Sequence, residues 1–407
     1  MPSIDAFFAT AFARPSSAER LFPVNPPGVG KARPVAPLGL LLLALAHPTP
    51  VQADPGRIEI NQAAALAGGV TPADAPGFPV TLDRAGSYVL TGDLDLSAVL
   101  SSGIEIVADD VSLDLAGFGI RGPVTCVRNA SDVTCSQGAL PFAGIHSSAS
   151  GTRIRNGRIR GIRGSGVLVG ASATLEDLDV VENAADGIAT GAFASVLRVR
   201  AERCGDDGFD LGSSSRIVES QAFANGSEGI EAGTNVYVRG VQLAANAALG
   251  LRGTDVIVLD STISGNQASG VGIQDAAVLR NNLLLANGQY GVAIDGGGSS
   301  RRAAAIVMEN VVRESPLGGI QLAGEGILSR NVVSKIPAIG IACYRNASDP
   351  ESGCLIAGNV VNENDQGILA ASGSGHVENV LYGNTISINA SPTPMGTNLC
   401  DGSTTCP

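Results

Sequence analysis

The sequence predicts an all-β fold, a right-handed parallel β-helix of about twelve coils, and three observations carry the prediction. The chain has 44% hydrophobic residues and 53 Gly, but only 10 Phe, 5 Tyr and no Trp. That mixture suits short strands and tight turns stacked on small side chains. Glycine followed by an apolar residue recurs at Gly144, Gly166, Gly187, Gly208, Gly229, Gly250, Gly270, Gly291, Gly319, Gly340 and Gly367, mostly 20 to 22 residues apart, with Gly103 opening the series upstream. Asparagines run in the same register, one per repeat. A fixed period near 21 marks a repeat architecture. A leucine-rich repeat would need a regular L-x-x-L-x-L frame, which is absent, whereas alternating stretches such as VLRVR at 196–200 read as short strands.

Residues 1–53 form the first element. Lys31 and Arg33 precede an apolar run at 38–46, and Val51, Gln52 and Ala53 follow as a small-x-small stretch. This is a secretory signal pattern with cleavage expected after Ala53. The run is too short for a transmembrane segment, which takes roughly 20 apolar residues. The preceding residues are long for a signal n-region, and translation is expected to start downstream, near Val29. The mature protein is therefore expected to be secreted, periplasmic or on the cell surface, and a monomer.

Export makes the cysteines legible as disulfides. Six of the seven fall in close pairs, Cys126/Cys135, Cys343/Cys354 and Cys400/Cys406, and Cys204 is left over. Residues 54–100 are expected to form an N-terminal cap. The stretch INQAAALA at 60–67 reads as a short helix covering the first coil, because open solenoid ends expose unpaired strand edges. The β-helix proper is placed at 101–390. The tail at 391–407, clipped by Cys400 and Cys406, is expected to cover the last coil.

Within the helix, Asn183, Asn225, Asn246, Asn266 and Asn287 lie four residues before the glycine, with Cys204 in the same slot. A second column holds Asn282, Asn310, Asn331, Asn359 and Asn379. Buried amides need partners for donor and acceptor alike, and stacked asparagines supply them to one another. Two coils carry seven extra residues at one turn: one insert holds 296–298 (GGG) with Arg301 and Arg302, the other is the Cys343–Cys354 loop. The sequence CYRNASD at 343–349 repeats CVRNASD at 126–132, and the disulfides there are expected to staple exposed loops.

The formal charge is −12, and Lys31 and Lys335 are the only lysines. Non-specific nucleic-acid binding needs a basic surface, so it is excluded. Arg158, Asp179 and Arg200 alternate down one column, and Asp177, Arg198 and Glu219 down another, as cross-coil ion pairs. Arg153, Arg155 and Arg160 are left as candidates for a basic edge. Around the glycine column the signs do not alternate. Asp186, Asp206, Asp207, Asp210, Glu228 and Glu231 come from three successive coils on one side. Like charges stacked at rung spacing repel. Either these acids sit hydrated at an exposed turn, or a cation holds them. Ca²⁺ takes six to eight oxygen ligands, and the six residues are its candidate ligands.

On these repeats the chain resembles the pectate-lyase-like superfamily of β-helices, over roughly 100–390. The stretch GDDGFDL at 205–211 resembles the calcium motif of family-nine polysaccharide lyases, with Asp206, Asp207 and Asp210 matching one coil and Asp186 the coil before. The resemblance implies Ca²⁺ bound to a uronate carboxylate and β-elimination at C5, on an acidic polysaccharide or cell-surface glycan. The family uses a lysine base two coils on. Here Arg252 stands in that column, either as the base or as a partner of Glu231. The run Asn183, Asp186, Asp206, Asp207 also resembles inverting polygalacturonase-type hydrolases, whose Gly-His-Gly and Arg-x-Lys are missing here. Mannuronan epimerases carry Asp-Pro-His-Asp, which is absent too. No Trp is present as a sugar platform, so a non-catalytic structural, adhesive or surface β-helix stands as the other reading.

Overall fold

A computed structural model describes residues 56–295, 304–345, 352–390, 393–404 and 406. The leader, the 296–303 insert and most of the second CxRNASD motif lie outside them. The chain winds as a parallel β-solenoid. Every strand but Cys126–Arg128 and Val133–Cys135 joins one ladder of parallel pairs, in which each strand bonds to its counterparts one coil before and one coil after.

About fourteen turns are formed, not twelve. The two extra rungs are Val80–Leu82, which pairs with Ile104–Ile106, and Ile386–Ala390, which pairs with Gln366–Ala370. Pro79 and Ser387 fill the slot that glycine occupies elsewhere, so a glycine count passes over both coils. At about 4.8 Å per rung the solenoid is some 60–65 Å long. Its strands also begin before 101. Arg57–Ile60 pairs with Gly86–Leu90 and through it with Val111–Asp114, so residues expected only to cap the helix already build its first coils. The helix read at 60–67 forms as Gln62–Ala67, capped by the Asn61 side chain accepting from Ala64 N at 3.0 Å. Ala65 packs into the main core with Ile60. At the other end Leu399–Cys400 extends the ladder on Val380–Tyr382.

The interior is one continuous stack of aliphatic side chains, a rung apart. On the first face it runs Val167, Ile188, Phe209, Ile230, Leu251, all fully buried. Glycine precedes this column for a steric reason. A Cβ on Gly208 would lie 2.7 Å from both Gly229 O and Asn225 Nδ2. Removing it lets the turn before the strand close tightly over the asparagine ladder.

Both ladders form. Along Asn225, Asn246, Asn266 and Asn287, each Oδ1 accepts the backbone N–H and the Nδ2 of the asparagine one coil earlier, at 2.9–3.2 Å. Cys204 N donates to Asn225 Oδ1 at 3.1 Å, so the cysteine takes the slot without the amide. The second ladder runs from Asn282 through Asn379 to Asn398 at 2.9–3.1 Å.

All three expected disulfides are present, and Cys204 is a buried free thiol. The first closes an antiparallel hairpin that is not a free-standing staple. Val124, Cys126 and Val133 pack on Ala184, and Cys126 Sγ lies 3.6 Å from Asn183 O. Of the arginines left as a basic edge, Arg155 pairs with Asp114 at 2.9 Å and Arg160 with Glu182 at 2.8 Å. Their partners lie 41 and 22 residues away. Each expected column supplies one ion pair, Arg200 2.9 Å from Asp179 and Arg198 2.7 Å from Asp177.

Candidate functional site

The acidic residues sit where the last turn of each coil enters the first face. Asp186, Asp207 and Glu228 each precede a column glycine, so the tight turn stacks their side chains coil on coil. Each backbone bonds to the carboxylate below: Asp207 N donates to Asp186 Oδ1 at 3.3 Å, and Glu228 N donates to Asp207 Oδ1 at 2.8 Å. Ser165 Oγ donates to Asp186 Oδ2 at 3.3 Å. Asp206, one residue earlier in its turn, is exposed and leans over the same stack.

Of the six predicted ligands, the structure gathers three. One carboxylate oxygen each from Asp186, Asp206 and Asp207 lies within 4.8 Å of the others, a spacing that can hold a metal ion. Asp210 and Glu231 point outward from the first face on adjacent rungs beside the group. Glu228 is buried, bonded to the Ser227 hydroxyl, with Oε1 3.9 Å from Arg252 Nη1. The charged partner of Arg252 is thus Glu228 rather than Glu231, its register neighbour one rung earlier.

Electrostatics mark the group as overloaded with negative charge. Burial, then the charges of Asp206 and Asp210, push Asp186 up to about 6. Burial, then Glu228, Asp206 and Asp186, push Asp207 up to about 8. Asp206 is raised by burial and by Glu228 and Glu231, and Asp210 by burial and by Glu231 and Asp206. A divalent cation among these oxygens would offset the mutual repulsion and draw these carboxyls back towards ionisation. Hard oxygen donors of this kind suit Ca²⁺ or Mg²⁺.

On the rungs that follow, a groove of about 380 Å³ lies on the first face, lined by none of the three converging aspartates. Arg252 and Glu231 stand at the end nearest the carboxylates; Thr254, Gln274 and Asp295 line its flank, and Gly272 and Ala293 leave its floor low. The disulfide hairpin packs on the turn that carries Asp206, since a Cβ on Gly205 would come 3.1 Å from Cys135 Sγ.

Two features escaped the sequence reading. The hairpin's place was hidden because a loop between distant coils does not declare what it folds against. On the same outward column as Asp210, Glu105 binds His146 Nδ1 at 2.8 and 2.9 Å. The hairpin insert separates that pair by 41 residues, so the 21-residue period conceals it. Cys204 has no part in the site: burial pushes its thiol up to about 12.

Residues 143–311 match the family described as the right handed beta helix region. The A-module of the mannuronan C-5 epimerase AlgE6 of Azotobacter vinelandii superposes with a TM-score of 0.51 at 16% identity, over 78% of this chain and 90% of that one. Two further structures score lower. The Dettilon tailspike protein matches at 0.44 and 14% identity, over 77% of this chain and 62% of its own. The catalytic unit of the GH87 α-1,3-glucanase of Streptomyces thermodiastaticus matches at 0.40 and 13% identity, over 78% and 62%. No curated protein matches by sequence. The chain is a right-handed parallel β-helix, and the family match and the first superposition establish that fold alone.

Proposed function

We propose that the protein is an exported β-helix that holds an acidic polysaccharide along its first face, through a calcium-type cation at Asp186, Asp206 and Asp207. One observation carries the reading: three converging carboxylates, two of them pushed far above the usual carboxylate range, share the first face with a groove of about 380 Å³ that Glu231 and Arg252 help to line. The cation neutralises the cluster and offers its remaining coordination positions to a uronate carboxylate. Glu231 and Asp210 favour that cation and disfavour an anionic chain without it. Three disulfides within the described residues suit an oxidising compartment, and none of the described helices is long and apolar enough to cross a membrane. The AlgE6 A-module acts on mannuronan, which sets the substrates to be tried.

Calcium-dependent β-elimination is the second reading, favoured by Arg252, the one basic side chain among the described residues lining the groove. Arginine gives up a proton only far above neutral pH, and this one already faces Glu228. Binding without cleavage is therefore the reading the geometry supports best. Calorimetry with galacturonate and mannuronate oligomers tests it, with Ca²⁺ and with chelator, alongside absorbance of unsaturated product. Binding that needs Ca²⁺ and is lost in Asp207→Asn supports the proposal. No calcium-dependent binding, or calcium-dependent binding that Asp207→Asn leaves intact, overturns it. Product formation moves the reading to elimination.

A further inference from the structure

The second face carries a different chemistry at its N-terminal end. One outward column there runs Arg57, Ser87, Ser112, Arg153, Thr174 on five successive rungs. Together with Arg155 from the neighbouring column they line a trough of about 460 Å³. Asp114 fixes two of the three guanidiniums, with Arg57 Nη2 at 3.2 Å and Arg155 Nη2 at 2.9 Å from the same oxygen. The other carboxylate at the rim, Glu176, is held by Arg198. Arg153 is exposed and makes no ion pair or side-chain hydrogen bond among the described residues, nor do the hydroxyls of Ser87 and Ser112.

This concentration of guanidinium is local and runs against the −12 charge of the whole chain. Further along the same column the residues become aliphatic: Ile257, Val278, Ile306, Ile327 and Leu355. Serine on the two rungs between Arg57 and Arg153 keeps the floor low, and the arginines overhang it from both ends of a span of about 14 Å. A guanidinium fork binds a planar oxyanion through paired N–H bonds. Serine hydroxyls donate to such an anion or bond to the hydroxyls of a sugar.

We propose that this trough, with Arg153 as its free guanidinium over Ser87 and Ser112, is a second, cation-independent site for the carboxylate or sulfate group of an acidic saccharide. It is separate from the first-face site and does not depend on it. Calorimetry in chelator with a galacturonate tetramer, a sulfated tetrasaccharide, a neutral galactose tetramer and inorganic sulfate tests it. At least one charged oligosaccharide should bind, more weakly as salt rises, and the neutral one should not; which charged oligosaccharide binds tells carboxylate from sulfate. Arg153→Ala should weaken that binding about tenfold. Arg216→Ala, in the same column outside the trough, and Asp207→Asn should leave it unchanged. The proposal fails if neither charged oligosaccharide binds, if inorganic sulfate binds as tightly as they do, or if Arg153→Ala and Arg216→Ala act alike. Loss of binding in Asp207→Asn would assign it to the first face and overturn the proposal too.

Discussion

Asp207→Asn should stabilise the cation-free protein at alkaline pH, and the size of the effect follows from the cluster. The substitution keeps an oxygen to accept from Glu228 N, now at 2.8 Å, and removes one charge from the stack. A tenfold change in acidity is worth about 1.4 kcal/mol. Burial and its acidic neighbours move Asp207 from 3.8 to about 8, and screening around the exposed Asp206 trims the cost of ionising it to about 3 kcal/mol. Because the folded carboxyl is raised, the folded chain holds more protons than the unfolded one between about pH 4 and 8. Stability contributed by this group is full below the unfolded pKa and lost as pH rises through 8. Unfolding entropy near 2.1 cal/mol/K per residue over about 350 residues converts 3 kcal/mol to about 4 °C. Scanning calorimetry in chelator should therefore show the variant melting about 4 °C above wild type at pH 8.5, with the gap closing towards pH 4. Calcium at 100 times its Kd should raise wild type by about 2.7 kcal/mol, again about 4 °C, and the variant much less. Equal melting of the two proteins at pH 8.5, or an equal response to Ca²⁺, would refute the reasoning.

Asn310→Ala removes the acceptor for Asn282 N and Nδ2, now at 3.0 and 2.9 Å; leaving buried donors unpaired should cost about 2–4 kcal/mol in urea unfolding. Gly208→Ala drives a Cβ to within 2.7 Å of Gly229 O and should cost about 1–3 kcal/mol by the same measurement. Cys204, fully buried with its thiol raised to about 12, should resist iodoacetamide at pH 8 in the native state and label at once in denaturant. Arg252→Ala should leave the calcium-induced rise in Tm in place, while any unsaturated product formed by wild type disappears.

How much of this was legible in the sequence depends on what repeats. The glycine and asparagine columns recur in most coils because each coil meets the same packing and hydrogen-bonding demands, so Gly208 and Asn225 could be placed from spacing alone. Coils that meet the demand with other residues, through Pro79 and Ser387, were passed over. Ion pairs inside the 21-residue register, such as Arg200 with Asp179, were readable. Pairs that cross the hairpin insert, Arg155 with Asp114 and His146 with Glu105, were not. At the site, stacking of Asp186 under Asp207 followed from their common slot before the glycine. Which three of six carboxylates converge depends on side-chain direction: Asp206 and Asp207 turn towards the stack from the end of a turn, whereas Asp210 and Glu231 are committed to the outward side of a strand by its period of two.

The central claim, a cation at Asp186, Asp206 and Asp207, is tested most directly by long-wavelength diffraction from crystals grown with Ca²⁺ and a uronate oligomer. An anomalous peak is expected about 2.3–2.6 Å from oxygens of these three residues, with a sugar carboxylate completing the shell. These three carboxylates ordered with no peak between them at saturating Ca²⁺ would contradict it.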